Sequence, residues 1–163
     1  MGEFRHAVQT EEREEREKEI VDTSETYIRM CEKAKSIQEK RGNKNTWWKD
    51  GDYVYCMMYG ERNAPENRID VFLEYAFQDD HYDDMEFIWL PRQDQLQEMV
   101  KREDYSSDIT DGALMLMGLC FLWCKDNWNL THQFTSMEQL WLAFVMKEKY
   151  SKVWNGEDWI KQG

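Results

Sequence analysis

The stretch from Phe134 to Trp159, FTSMEQLWLAFVMKEKYSKVWNGEDW, constrains the fold more than any other part of the chain. Ser136 is a good helix N-cap, and Gln139 stands three residues on, where a capping box wants Glu or Gln. Met137, Leu140, Trp141, Phe144 and Val145 share one stripe at helical spacing, while Lys147, Glu148 and Lys149 face out or close the end. Lysines in the last turn suit the negative end of the helix dipole. Asn155-Gly156 is the expected stop. So apolar a face must be buried, so this helix is expected to anchor the core, with Met137, Leu140, Trp141 and Phe144 inside.

The chain has 163 residues, enough for one domain that buries about two-thirds of its unfolded surface. Its 41% hydrophobic content supports a real core. Thirty-three acids against 21 bases give a formal charge of −12. That balance argues against direct binding to nucleic acid or an anionic membrane, because phosphates would be repelled over most of the surface. It allows the opposite partner, a basic protein groove, including one that normally holds nucleic acid. The N-terminus is charged, without the apolar run of a secretory signal. The longest apolar stretch, Ala113 to Cys124, is far shorter than the roughly 20 residues that span a bilayer. A soluble, cytoplasmic protein is therefore expected, with Cys31, Cys56, Cys120 and Cys124 reduced and the sequon Asn129-Leu130-Thr131 without meaning.

In chain order, TEEREEREKE at 10–19 is nearly all charge, a helical extension held by Glu/Arg pairs worth only about 0.2–0.5 kcal/mol each. Tyr27, Ile28, Cys31, Ala34 and Ile37 then mark an amphipathic helix to about Lys40, with Gly42 as terminator. Trp47-Trp48 and Tyr53–Cys56 flank Asp50-Gly51 and read as strand, tight turn, strand. Asp70–Phe77 and Glu86–Leu90 supply further strands, with loops at Gly60–Arg68 and Gln78–Asp84. Pro91 is a good first helical residue before the Leu96, Met99 and Val100 stripe. Ala113–Lys125 is apolar nearly all round, as expected of a helix buried on several sides. The order implies an α+β fold: a small antiparallel sheet of three or four strands against several helices. Residues 1–22 form the charged extension and 23–163 a single domain.

The acidity is uneven. Glu66, Asp70, Glu74, Asp79, Asp80, Asp83, Asp84 and Glu86 stand against Arg68 alone, and Glu103, Asp104, Asp108 and Asp111 follow. If the loops at Asp79–Asp84 and Glu103–Asp111 meet, one side carries a strong negative field. Asp79–Asp84 is also the first place to look for Ca²⁺ or Mg²⁺, but the glycine and spacing of an EF-hand loop are missing. Cys120 and Cys124, four apart with His132 nearby, lack the second ligand pair of a zinc site and read as core. His6, His81 and His132 lie in no nucleophile motif, and no glycines cluster into a phosphate loop. The residues thus point to no catalytic, cofactor or metal site. Trp47 and Trp48 beside Tyr53 and Tyr55 could form an aromatic contact, as could Trp154 and Trp159 if exposed.

Three segments, Tyr27–Gln38, Ile88–Met99 and Phe134–Ile160, resemble small proteins encoded by phages and prophages of Gram-positive bacteria, a family without an assigned function. The resemblance implies a setting in a bacterial cytoplasm and no residue-level role. Setting and charge together lead to a non-enzymatic phage accessory protein that binds a bacterial host protein as an inhibitor or anti-defence factor. Its contact would be the acidic set Glu66, Asp70, Glu74, Asp79, Asp80, Asp83, Asp84, Glu103, Asp104 and Asp108, imitating nucleic-acid phosphates for a nucleic-acid-binding host protein. The alternative is a binder of a small nucleotide signal, using Trp47, Trp48 and Tyr53 with Arg62 and Arg68. A third is a metal-dependent enzyme built on Asp79–Asp84. A homodimer is compatible with each.

Overall fold

A computed structural model describes residues 21–41, 51–58, 68–71, 85–101 and 109–162. The elements run α1 (Glu25–Lys33), α2 (Lys35–Arg41), β1 (Tyr53–Met58), β2 (Arg68–Val71), β3 (Met85–Leu90), α3 (Gln93–Val100), α4 (Ile109–Asp126), α5 (Trp128–Thr131), α6 (Met137–Tyr150), β4 (Lys152–Trp154) and β5 (Trp159–Lys161). This is an α+β fold. Where three or four strands were expected in one sheet, the described residues form a three-stranded antiparallel sheet, ordered β2-β1-β3, and a separate ribbon of β4 and β5. The charged segment 1–20 lies outside the described residues, and the packed body already includes the buried Val21.

β1 is central because both of its faces are apolar. Val54 pairs with Asp70 on one side and Trp89 on the other, so β2 and β3 occupy both edges. The hairpin expected across Asp50-Gly51 is therefore not the pairing β1 adopts. A strand has two edges, and both go to partners more distant in sequence. Tyr53, Ile88 and Leu90 enter the main core, while Val54 and Cys56 are buried beside Phe87 in a second cluster. The far edge of β3 is closed by a side chain. Gln38 of α2 accepts from the Trp89 N–H at 3.0 Å and donates to the Trp89 carbonyl at 3.0 Å, as a neighbouring strand would.

α6 runs through the middle of the main core. Trp141 to Met146 are six buried residues in a row, with α1, α3, α4 and β4 packed around the helix. Trp141 and Phe144 are inside as expected. Met137 is half exposed, since it faces outward from a first turn whose Gln139 is buried at the junction with α1. The helix ends at Ser151, whose left-handed backbone (φ 52°) aims its N–H at the Lys147 carbonyl at 3.1 Å. Asn155-Gly156 is not the helix stop but the turn of the β4–β5 ribbon. There the Asn155 side chain accepts from the Glu157 and Asp158 N–H groups at 2.9 and 2.8 Å, and Gly156 supplies the required φ of +102°. Pro91 likewise sits just before α3 rather than within it. The α3 N-cap is Arg92, whose N–H donates to Gln95 at 2.9 Å.

The N-termini of α1 and α6 share one polar junction. Ser24 caps α1, accepting from the Tyr27 N–H at 3.2 Å, and Ser136 caps α6, accepting from the Gln139 N–H at 3.2 Å. Between them stands Asp22. Its carboxylate accepts from the Ser24 N–H at 2.8 Å, from the Gln139 amide at 2.7 Å and from the Ser136 hydroxyl. Gln139 is almost fully buried, and its carbonyl accepts from the Thr135 N–H at 3.1 Å. A carboxylate held at two helix N-termini is favoured by both dipoles. Burial pulls the Asp22 carboxyl upward, but bonds from Ser136, Ser24 and Gln139 outweigh it and leave the carboxyl below its ordinary value of 3.8.

Asp22→Ala is expected to lower stability by about 2 kcal/mol, since hydrogen bonds to a charged group are lost at a half-buried site. Because the folded carboxyl titrates below the unfolded one, this contribution is complete above about pH 5. It vanishes as pH falls through the lowered folded value. Urea midpoints of the two proteins should differ at pH 7, and the difference should shrink as pH falls below the ordinary carboxylate value. Gln38→Leu should cost about 1–3 kcal/mol, because the buried polar groups of Trp89 lose their amide partner. Denaturant unfolding with an unchanged m-value checks it.

Candidate functional site

The sheet fixes where the acidic connections attach. Arg68, the first residue of β2, pairs with Cys56, and Met85, the first of β3, pairs with Met58. Both strands therefore begin at the end of the sheet where β1 finishes, about 10 Å apart across one strand spacing on each side. Glu66 precedes Arg68 by two residues, and Asp83-Asp84 run directly into Met85. Arg68 and Met85, the first described residues after these stretches, thus lie at the same end of the sheet. Asp70 lies in β2 opposite Val54, and Glu86 is exposed on β3 opposite Met57.

Glu66, Glu74, Asp79, Asp80, Asp83, Asp84, Glu103, Asp104, Asp108, Trp47 and Trp48 themselves fall outside the described residues. So does Asp79–Asp84 as a metal candidate. The charge distribution is nevertheless sharp. The described segments carry 15 acids and 13 bases, a net of −2, and the remainder carry 18 and 8, a net of −10. The packed body is close to neutral, and its connecting and terminal segments hold the charge.

Two adjoining open clefts, which sequence reasoning missed, lie beside α3 and α6. One of about 360 Å³ is lined by Ile37, Trp89, Met99 and Tyr150 with Glu98, Lys101 and Lys149. The other, about 420 Å³, shares both lysines and reaches Leu116 and Leu119 of α4. Glu98 pairs with Lys101 at 3.5 Å and Glu148 lines the second cleft, so charges of both signs stand beside the aromatic rings. No local sequence signal could have joined Lys101 and Lys149, because only the packing of α3 on α6 does so.

α4 departs most from expectation. It was expected to be buried on several sides, yet Leu114, Met115, Met117, Leu119, Phe121 and Leu122 are each 39–68% exposed. Among its described side chains only Cys120 and Trp123 are buried, with Leu116 and Cys124 partly covered. Trp123 meets Phe144 of α6 at a ring-centroid distance of 5.5 Å. Trp128 of α5 is 70% exposed.

The remaining candidates are structural. Trp154 and Trp159 are buried, 5.0 Å apart across the ribbon, and the Trp159 indole N–H donates to the Met30 carbonyl at 2.9 Å. That contact pins β5 to α1. Burial pushes the Cys120 thiol up to about 12, assisted by the neighbouring Cys124, and burial also raises Cys124 and Cys31. These are core thiols, not nucleophiles. His132 is exposed, its Nδ1 3.0 Å from the Trp128 carbonyl. Among the described residues no group of His, Cys, Asp and Glu is placed to hold a metal ion, and no helix is long and apolar enough to cross a membrane.

Comparison with protein-family models, with curated proteins and with solved structures found no match.

With raised thiol pKa values, alkylation by iodoacetamide at pH 8 should be slow at Cys31 and Cys120 in the folded protein. It should become at least tenfold faster in denaturant, where thiols return to about 8.5. Peptide mass mapping against time reads both rates.

Proposed function

We propose that the chain is a non-enzymatic phage or prophage accessory protein that binds a bacterial host protein in the host cytoplasm, as an inhibitor or anti-defence factor. The acidic stretches around the three-stranded sheet present carboxylates to a basic groove that ordinarily holds nucleic acid. The observation carrying this reading is the segregation of charge: a body of net −2 bearing segments of net −10. Carboxylates concentrated on a few segments repel one another. A cationic partner would turn that repulsion into attraction and speed encounter. The phage setting rests on the resemblance of the Tyr27–Gln38, Ile88–Met99 and Phe134–Ile160 segments.

A second reading, a small-ligand binder for a nucleotide signal, is favoured by the lysine-bearing clefts beside Trp89 and Tyr150. A nucleotide that fills them at 100 times its Kd should stabilise the fold by about 2.7 kcal/mol, visible as a rise in Tm.

The protein-binding reading is tested with tagged full-length chain and host-cell lysate, followed by titration of the recovered partner. Affinity should fall at least tenfold between about 50 and 300 mM salt, as exposed charge pairs are screened. Replacing Asp79, Asp80, Asp83 and Asp84 together by Asn should weaken binding similarly while leaving Tm unchanged. A complex indifferent to both changes would rule out the acidic contact.

A further inference from the structure

We infer that the exposed face of α4 is a homodimer interface, in which α4 of one copy packs against α4 of a second copy across a two-fold axis, with Gly118 at the crossing point. The six exposed side chains of α4, each 39–68% open, make an apolar patch on the order of several hundred Å², the scale of one partner's share in a standard interface of roughly 800 Å². Contiguous apolar patches larger than a few hundred Å² are rare on monomers.

Gly118 supplies the geometry. It is exposed in the middle of an 18-residue helix, where glycine costs about 1 kcal/mol relative to alanine. A Cβ there would meet nothing within 4 Å, so packing within one chain does not require it. Leu114, Met115, Phe121 and Leu122 stand three and four residues to either side and surround it on the same surface. The result is a notch flanked by large apolar side chains, and a two-fold contact lets one residue provide the notch for both helices.

Charge selects the second copy over other occupants. From Gly112 to Cys124 there is no acidic or basic residue, so two chains of −12 can meet here without pressing carboxylates together. A basic partner, the kind a −12 chain attracts, would gain nothing electrostatic from this face. An anionic membrane would find only Lys125 beside Asp126 at its margin. The interface uses different elements from the acidic sheet end and does not rest on the proposed binding role.

Sedimentation equilibrium of the full chain from about 1 to 100 μM should give a species of twice 19.9 kDa, dissociating on dilution. Phe121→Glu should be monomeric throughout this range, and Gly118→Leu should raise the dimer dissociation constant at least tenfold. Both positions are open to solvent in one chain, and circular dichroism with Tm at low concentration reports whether the fold survives. Should Phe121→Glu unfold, Met117→Lys supplies the same disruption on the same face. A wild-type chain that stays monomeric to 100 μM overturns the inference, whether or not it then floats with vesicles. A dimer that persists in folded Phe121→Glu or Met117→Lys protein, or is unaffected by Gly118→Leu, overturns it equally.

Discussion

A helix that buries six consecutive residues has no face left for water, and α6 does this from Trp141 to Met146. Every neighbour must then act as a wall, and the helix ends must satisfy their free N–H and C=O groups inside or beside the protein. The N-terminal end makes the sharper demand. Gln139 is almost wholly buried and carries an amide whose donors and acceptor all need partners. Asp22, Ser24 and Thr135 supply them, and so the start of α1 is pulled to the start of α6. The position of α1 follows from the capping of α6, and the sheet follows from α1, through the Tyr27 hydroxyl donating to the Pro91 carbonyl.

The same device recurs at other joints. Here side chains bond to backbone groups distant in sequence: Gln38 to Trp89, Trp159 to Met30, Tyr150 to Ser36 and Arg92 to Gly51. A net gain of about 1 kcal/mol for each is modest, while a buried backbone group left without a partner costs about 1–3 kcal/mol. These bonds therefore decide which arrangement of apolar elements is acceptable more than they add to its stability. Apolar burial supplies the drive, and the long-range polar contacts select the register.

What could be read beforehand followed from range. The Ser136 cap, the Gln139 position, the Tyr27–Ile37 stripe and the Glu86–Leu90 strand were legible because each is set by residues within one or two turns. The pairing of β1 was not, because β2 and β3 compete for its edges from 15 and 32 residues away, measured from strand start to strand start. Met137 and Asn155-Gly156 were misplaced because a pattern does not show where the packed body ends. α4 failed for a deeper reason. A helix apolar all round looks the same in sequence whether its own chain or another molecule covers it. Of the acidic site, composition and order along the chain were legible, and the sheet added that Arg68 and Met85 start their strands at one end. Lys101 and Lys149 were beyond reach, since nothing local joins them.

The two proposed surfaces differ in the force they use, and that difference makes them separable. Around the sheet end, carboxylates act through a field that salt screens beyond about 8 Å at physiological ionic strength. Along α4 from Gly112 to Cys124 the side chains carry no formal charge, and association there removes apolar area from water, which added salt does not screen. Salt also relaxes the repulsion between two chains of −12 as they approach. Raising ionic strength should therefore loosen a contact made by the acidic segments while leaving α4 pairing intact or tighter. A near-neutral body permits this division, because neither surface depends on the charge of the other.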